Sequence, residues 1–380
     1  MSFSSFGLSA DLLKNIDNQK YTKPYPIQEE AIPIILAGKD LLALAQTGSG
    51  KTASFVLPIL QNLQHKKASL PRHVKVLVLV PTRELAMQVA EVFDSFSLNL
   101  PTKLKTMAVF GGVNINIQID ALQKCEILIA TPGRLLDLMA SRSVFLSEVE
   151  VLVLDEADKM LNLGFKDEMN DIFFHLPKKR QNLLFSATLN DNVDLLKSIL
   201  LHEPVKIEIE TEKQNLDLIN QSAYLTTEER KGVLLRYLIK TQNYKQVLVF
   251  TSSTRKADNV VEKLNKNGIQ AAALHGDKSQ AIRTDSLKKF KAGEIRVLVA
   301  TDLVSRGIDI QELPVVINYE LPRSPTDYVH RIGRTGRAES KGEAITLLTI
   351  EDEHHFKIIQ KKMGRKVEIM ESSEFNLHGF

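Results

Sequence analysis

The sequence predicts an α/β chain of two tandem parallel-sheet domains with a cleft between them. Three observations carry this. Short continuous apolar runs recur, each followed by a loop and a helical pattern. The whole pattern is played twice. A polar stretch, Ile209-Glu210-Thr211-Glu212-Lys213-Gln214-Asn215, separates the two rounds. Apolar runs alternating with helices mark strands buried on both faces of a parallel sheet. In the first round the runs are 41–45, 76–80, 107–110, 127–130, 151–154 and 183–185; in the second they are 247–250, 269–274, 297–300, 315–318 and 344–348. Helical patterns such as 83–96, 254–267 and 279–291 lie between them. The expected layout is a first domain at 1–208, a linker at 209–219, a second domain at 220–368 and a charged, weakly patterned tail at 369–380. Open sheets of this kind bind ligands at the carboxyl ends of their strands, and most chemistry-bearing residues of this chain fall there.

Composition narrows the partners. The 380 residues are 43% hydrophobic and 25% charged, an ordinary globular balance with room for two or three cores. Lys+Arg total 49 against 46 Asp+Glu, so the net charge of +3 does not itself point to a polyanion, and any nucleic-acid surface must be a local patch. Cys125 is the single cysteine, which excludes an internal disulfide and fits a packing role in a reducing cytoplasm. No apolar stretch reaches the ~18–20 residues of a membrane span, and the opening Met1-Ser2-Phe3-Ser4-Ser5-Phe6 lacks the basic flank and apolar core of a signal peptide. Tryptophan is absent, so base stacking would fall to other groups.

Ala45-Gln46-Thr47-Gly48-Ser49-Gly50-Lys51-Thr52 follows a predicted strand and opens a helix. It matches the phosphate-loop pattern G-x-x-x-x-G-K-[ST] with Ala45 in the first glycine position. Gly48 and Gly50 let backbone N–H groups curl around phosphate oxygens, and the helix start adds its positive dipole end. Lys51 is placed to reach the β- and γ-phosphates and Thr52 to ligate Mg2+. Asp155-Glu156-Ala157-Asp158 follows the strand 151–154. An acid at that point, Asp155, holds Mg2+ in phosphate-loop enzymes; Glu156, one residue on, can orient and deprotonate an attacking water. Taken alone, such an acidic cluster is as often a solvated loop.

With Ser186-Ala187-Thr188 and Tyr328-Val329-His330-Arg331-Ile332-Gly333-Arg334-Thr335-Gly336-Arg337 added, the set resembles the DEAD-box helicases over residues 1–350, with every motif in the family's order. Spacing and the opening 3–9 look most like the bacterial RhlE branch. The resemblance implies two RecA-like domains, an ATP cofactor with Mg2+, and RNA as partner. Its adenine-reading segment is Lys20-Tyr21-Thr22-Lys23-Pro24-Tyr25-Pro26-Ile27-Gln28. By that resemblance Gln28 donates to and accepts from adenine, with Tyr21 beside it, and Phe3 stacks on the ring. Lys20 stands where the family usually has Gly, and Tyr25 where it has Thr or Ser. The resemblance also has Ser186 and Thr188 bonding to Asp158 and linking hydrolysis to domain closure, with His330 joining that network; read alone, Ser186-Ala187-Thr188 is equally a helix N-cap. By the same resemblance Arg334 and Arg337, three apart and on one face if helical, would act as arginine fingers, Gly307 would allow close backbone approach and Asp309 would accept from the ribose hydroxyls.

The implied RNA contacts are Thr82, Arg83, Gly112, Thr131 and Arg134 in the first domain, and Thr251, Gln280, Arg283 and Thr301 in the second. Hydroxyls, helix-start amides and guanidinium groups suit a sugar–phosphate track that does not read bases, although Thr82 and Thr131 could equally be helix caps. The reading is an RNA-stimulated ATPase that unwinds short duplexes locally, acting as a monomer. The rival readings are an ATP-dependent RNA clamp, which would lack Glu156 or the arginines, and a translocating helicase, which would lack the adenine-reading segment.

Overall fold

The computed structural model describes residues 2–380 except 47, 65, 67–69, 210–215, 303–312 and 337–340. The chain forms two compact units, residues 1–211 and 212–380. Among the described residues each unit holds one sheet of seven strands, all parallel.

In the first unit the strands are β1 (Leu41–Leu44), β2 (Val76–Leu79), β3 (Thr106–Val109), β4 (Ile127–Ala130), β5 (Val151–Leu154), β6 (Gln181–Ser186) and β7 (Val205–Glu208), in the order β3-β4-β2-β5-β6-β1-β7. Successive strand residues face opposite sides. Leu41 and Ala43 pack with Ile27, Phe55, Val89 and Phe93 into one core, whereas Leu42 and Leu44 pack with Leu135, Met160, Ile172 and Leu196 into another. With helices on both faces, no strand position has to be polar, so these strands read as unbroken apolar runs. Cys125 is buried and donates to the Ile127 carbonyl at 3.2 Å, and burial pushes its thiol up to about 12, as a packing role requires.

The second unit runs β8 (Ile219–Leu225), β9 (Val247–Thr251), β10 (Ala271–Leu274), β11 (Val297–Thr301), β12 (Val315–Asn318), β13 (Gly342–Leu348) and β14 (Glu368–Glu371), in the order β10-β11-β9-β12-β13-β8-β14. This is the first order with seven added to every strand number.

Sequence reading missed β7, β8 and β14. β7 and β14 sit at sheet edges with exposed charged residues, and β8 carries the polar run Asn220-Gln221-Ser222, so none shows a continuous apolar signal. The residues expected as a tail belong to the second unit. β14 pairs with β8, Phe375 packs on Tyr224 and Tyr237 at 5.6 and 5.2 Å, and Phe380 packs on Tyr237 at 5.1 Å. Arg230 and Arg236 donate to the carbonyls of Ser372 and Phe380 at 3.3 and 2.9 Å. Among the described residues, no helix is long and apolar enough to cross a membrane.

Candidate functional site

The loop after β1 is built to hold an anion. Gly50 caps the helix Lys51–Leu63 at φ 90°, a left-handed conformation that glycine adopts without strain, and it offers no side chain to the helix N–H groups. No acidic residue occupies the first turn, so the orphan donors and the positive dipole end are left for a ligand. Lys51 is buried at 6% exposure, its ammonium donating to the Ala45 carbonyl at 3.0 Å. Ser49 folds the loop by donating from Oγ to the Gln46 carbonyl at 2.8 Å. Thr52 is half-buried on the first turn, Gly48 is exposed, and Thr47 lies outside the described residues.

The acids follow β5. Asp155 is 2% exposed, and its Oδ1 is buried without a hydrogen-bond partner. Burial pushes its carboxyl up to about 6; the nearby Lys51 ammonium opposes that rise and Glu156 adds to it. A buried, unpartnered carboxylate oxygen beside a lysine-bearing phosphate loop fits a cation ligand. Among the described residues no three metal-ligating side chains cluster. Magnesium commonly takes one or two carboxylates and completes its shell from phosphate and water. Glu156 is buried at φ 55°, a left-handed conformation that is strained for glutamate, and its Oε1 accepts from Lys159 Nζ at 2.7 Å. Asp158 Oδ2 accepts from Thr188 Oγ1 at 3.1 Å. Ser186 departs from expectation: its hydroxyl donates to the Thr188 carbonyl at 2.7 Å and not to Asp158. Nor does Ser186-Ala187-Thr188 cap the next helix, a role filled by Asn190, which accepts from Val193 N.

Gln28 is fully buried and joins the adenine-reading segment to the phosphate loop. Its Oε1 accepts from Tyr25 N at 3.0 Å, and its Nε2 donates to the Gly50 carbonyl at 3.1 Å. One lone pair and one amide hydrogen remain for a base edge. A Cβ on Gly50 would lie 2.6 Å from Gln28 Nε2 and 3.0 Å from the Tyr25 ring, so the contact also depends on that glycine. Phe3 does not present itself for stacking. It is 5% exposed in the core, edge-on to Phe6 and Tyr21 at 6.1 and 6.3 Å, because the turn Phe3–Phe6 folds its ring inward. Tyr21 is half-buried, edge-on to Phe96.

The remaining first-unit residues lie at strand ends. Thr82 Oγ1 caps the helix Arg83–Ser97 by accepting from Leu85 N at 3.3 Å, whereas Thr131 makes no cap bond at the helix Pro132–Ala140. Gly112, at φ 76°, seats the Arg83 guanidinium: a Cβ there would lie 2.1 Å from Arg83 Nη1. Arg134 is 9% exposed, donating to the Val113 carbonyl at 3.0 Å and pairing with Asp137 at 3.4 Å.

In the second unit, Thr251 ends β9, with its hydroxyl on the Ser253 carbonyl at 3.3 Å, and Thr301 ends β11. Gln280 and Arg283 share the first turn of the helix Gln280–Lys291, with Arg283 Nη2 donating to Gln280 Oε1. His330 lies in the last turn of the helix Pro325–Ile332. That helix stops at Gly333, so Arg334 is not on a helical face; it lies on a turn, 7% exposed, its carbonyl accepting from Leu313 N at 3.1 Å. Arg337, Gly307 and Asp309 lie outside the described residues. Sequence reading gave no role to Arg331. Its guanidinium grips both oxygens of Asp302 at 2.6 and 2.7 Å, reaches Asn318 Oδ1 at 3.1 Å and the Glu320 carbonyl at 2.6 Å, and lies 4.9 Å from the Phe250 ring centre. It thereby ties the ends of β9, β11 and β12 to the helix that precedes Arg334. Only its place beside Arg334 in the motif could have pointed to it.

Residues 25–196 match the DEAD/DEAH box helicase family, and residues 230–339 match the helicase conserved C-terminal domain. The DEAD-box ATP-dependent RNA helicase RhpA of Helicobacter pylori is 40% identical over 99% of this chain and 75% of that protein. The ATP-dependent RNA helicase CshA of Listeria monocytogenes is 40% identical over 97% of this chain and 70% of its own length. Among solved structures, S. cerevisiae Dbp5 bound to RNA and ADP BeF3 superposes with a TM-score of 0.83 at 32% identity, over 97% of this chain and 95% of that one. A DEAD box protein from the hyperthermophile Methanococcus jannaschii superposes with a TM-score of 0.54 at 36% identity, over 97% and 99% of the two chains.

Proposed function

This chain belongs to the DEAD-box family of ATP-dependent RNA helicases, and we propose that it hydrolyses ATP in response to RNA and opens short RNA duplexes locally. The observation that carries the reading is the division of labour between the units. The phosphate loop, Asp155 and Glu156 lie on the first, and Arg334 lies on the second. A hydrolytic site built from both is complete only when the units close on one nucleotide.

Each residue then has a task. Helix-start amides and Lys51 bind the phosphates; Gln28 reads adenine; Glu156 orients the attacking water and takes its proton; Arg334 and Arg337 spread charge over the γ-phosphate. Thr52 and Asp155 would hold magnesium, which would supply positive charge against the triphosphate. Asp158 and Thr188, with His330 from the other unit, report closure, and Asp309 takes the ribose with Gly307 beside it. Thr82, Arg83, Gly112, Thr131 and Arg134 on one unit and Thr251, Gln280, Arg283 and Thr301 on the other form one backbone track for RNA. Because that track is completed by closure, each ATP favours one bent strand, which a regular A-form duplex cannot supply. Both halves of the site lie on one chain, which supports action as a monomer, and the single buried cysteine supports a cytoplasmic setting.

Matched single-stranded RNA and DNA test the reading. RNA should stimulate ATP hydrolysis and DNA should not, because backbone contacts sense the 2′-hydroxyl. Unwinding should fall sharply as duplexes lengthen. Equal stimulation by DNA, or unwinding indifferent to length, would place the protein among translocating helicases.

Nucleotide choice tests Gln28 separately. The wild-type protein should use ATP well ahead of GTP, because a mismatched base leaves buried polar groups unpaired. Gln28→Ala should erode that preference and also loosen the phosphate loop through the lost Gly50 bond. Equal use of GTP by the wild type would refute the role.

A further inference from the structure

We propose that the first unit carries a docking groove for an amphipathic helix of a partner protein, one with large apolar anchors flanked by a basic residue. The groove lies between the helices Pro132–Ala140 and Lys166–Phe174 and has a volume of about 600 Å³. Leu136, Met139 and Leu146 line it, and the rings of Phe145 and Phe174 flank it. Phe174 is 86% exposed and Phe145 38%. Each ring has a histidine against it: His73 stacks on Phe145 at 5.1 Å, and His175 meets Phe174 edge-on at 5.5 Å. An aromatic side chain this exposed beside an apolar groove contributes nothing to the core, and such patches on soluble proteins mark interaction surfaces. A groove between two helices suits a third helix presenting apolar residues one turn apart.

Position separates this surface from the chemistry. Phe145 lies in the segment before β5 and bridges to His73 before β2, and His175 lies in the segment before β6. The groove is therefore at the amino ends of the strands, while the phosphate loop, the acids and the strand-end threonines are at the carboxyl ends. A partner seated there leaves the nucleotide site open.

Charge identifies the occupant. No lysine or arginine lines the groove among the described residues, and Asp171 supplies a carboxylate. The carbonyl of Asp171 accepts from His175 Nδ1 at 2.9 Å at the carboxyl end of the helix Lys166–Phe174, the negative end of its dipole. Asp167 stands one turn earlier on the same helix. A Lys or Arg beside the anchors answers this field. A second copy docking through the same patch would instead bring like charges together.

The test is a display library of amphipathic helices of about five turns, randomised at anchor and flanking positions and selected against the full chain. Enriched peptides should carry a basic residue next to their anchors. Their binding should weaken at least about tenfold on Phe174→Ser and on Asp171→Lys, while both variants keep wild-type RNA-stimulated ATP hydrolysis. Because Phe174 is almost wholly exposed, its replacement leaves the fold intact. Peptides that bind Phe174→Ser as well as wild type, enrichment of acidic flanks, or no enrichment over the Phe174→Ser protein would each overturn the proposal. Sedimentation showing a dimer that depends on Phe174 would overturn it in favour of a second copy.

Discussion

Arg334→Ala should lower RNA-stimulated ATP hydrolysis by roughly 10³–10⁵-fold, the range that an arginine finger supplies in phosphoryl transfer. ATP binding should change little, because on the proposed reading the nucleotide is gripped mainly by the first unit. The bond from Leu313 N to the Arg334 carbonyl should survive as well, since alanine retains that carbonyl. Arg334→Lys should recover little, because an ammonium lacks the planar fork that spreads charge over several oxygens. The measurement is turnover at saturating RNA, beside nucleotide affinity by titration. Near-wild-type stimulated turnover in Arg334→Ala would remove this residue from the site.

Glu156→Gln should cut hydrolysis by roughly 10²–10⁴-fold, the contribution of a positioned general base, while Mg-ATP and RNA still bind. The complex should then persist, with slowed RNA release. Glutamine matches glutamate in shape, and its carbonyl can still accept from Lys159, which now bonds Oε1 at 2.7 Å. The left-handed backbone at Glu156 is therefore no worse filled by glutamine. Asp155→Ala and Lys51→Ala should behave differently and lose nucleotide binding or turnover outright. Loss of Mg-ATP binding in Glu156→Gln would move that carboxylate into the metal shell.

What the sequence revealed follows from burial. Strands covered on both faces, such as β2 with Val76-Leu77-Val78-Leu79, were visible as apolar runs, whereas β14, Glu368-Ile369-Met370-Glu371, was not. An edge strand half open to water has no composition that separates it from a loop. At the site, the phosphate loop and the acids were legible because their chemistry is confined to contiguous residues. Long-range contacts were not: Gln28 on Gly50, Phe3 turned inward, and Arg331 gripping Asp302 all join residues distant in sequence or invert an expected exposure. Lys20 is instructive. It replaces the glycine that the resemblance expects and takes φ 60°, so the position demands a left-handed backbone that lysine adopts under strain.

The repeated strand order makes the chain a fused pseudo-dimer whose halves have diverged. After β1, the first half enters its helix through Gly50-Lys51-Thr52. After β8, the equivalent strand in the second half, the chain enters its helix through Thr227-Glu228-Glu229. Glu228 and Glu229 fill the first turn there, where acids answer the helix dipole, and Glu228 pairs with Lys231 at 3.3 Å and with Lys256. If the proposed site holds, one turn of one repeat sets the stoichiometry at a single nucleotide for two copies of the fold. On the proposed reading one half would carry the nucleotide and the other would respond to it.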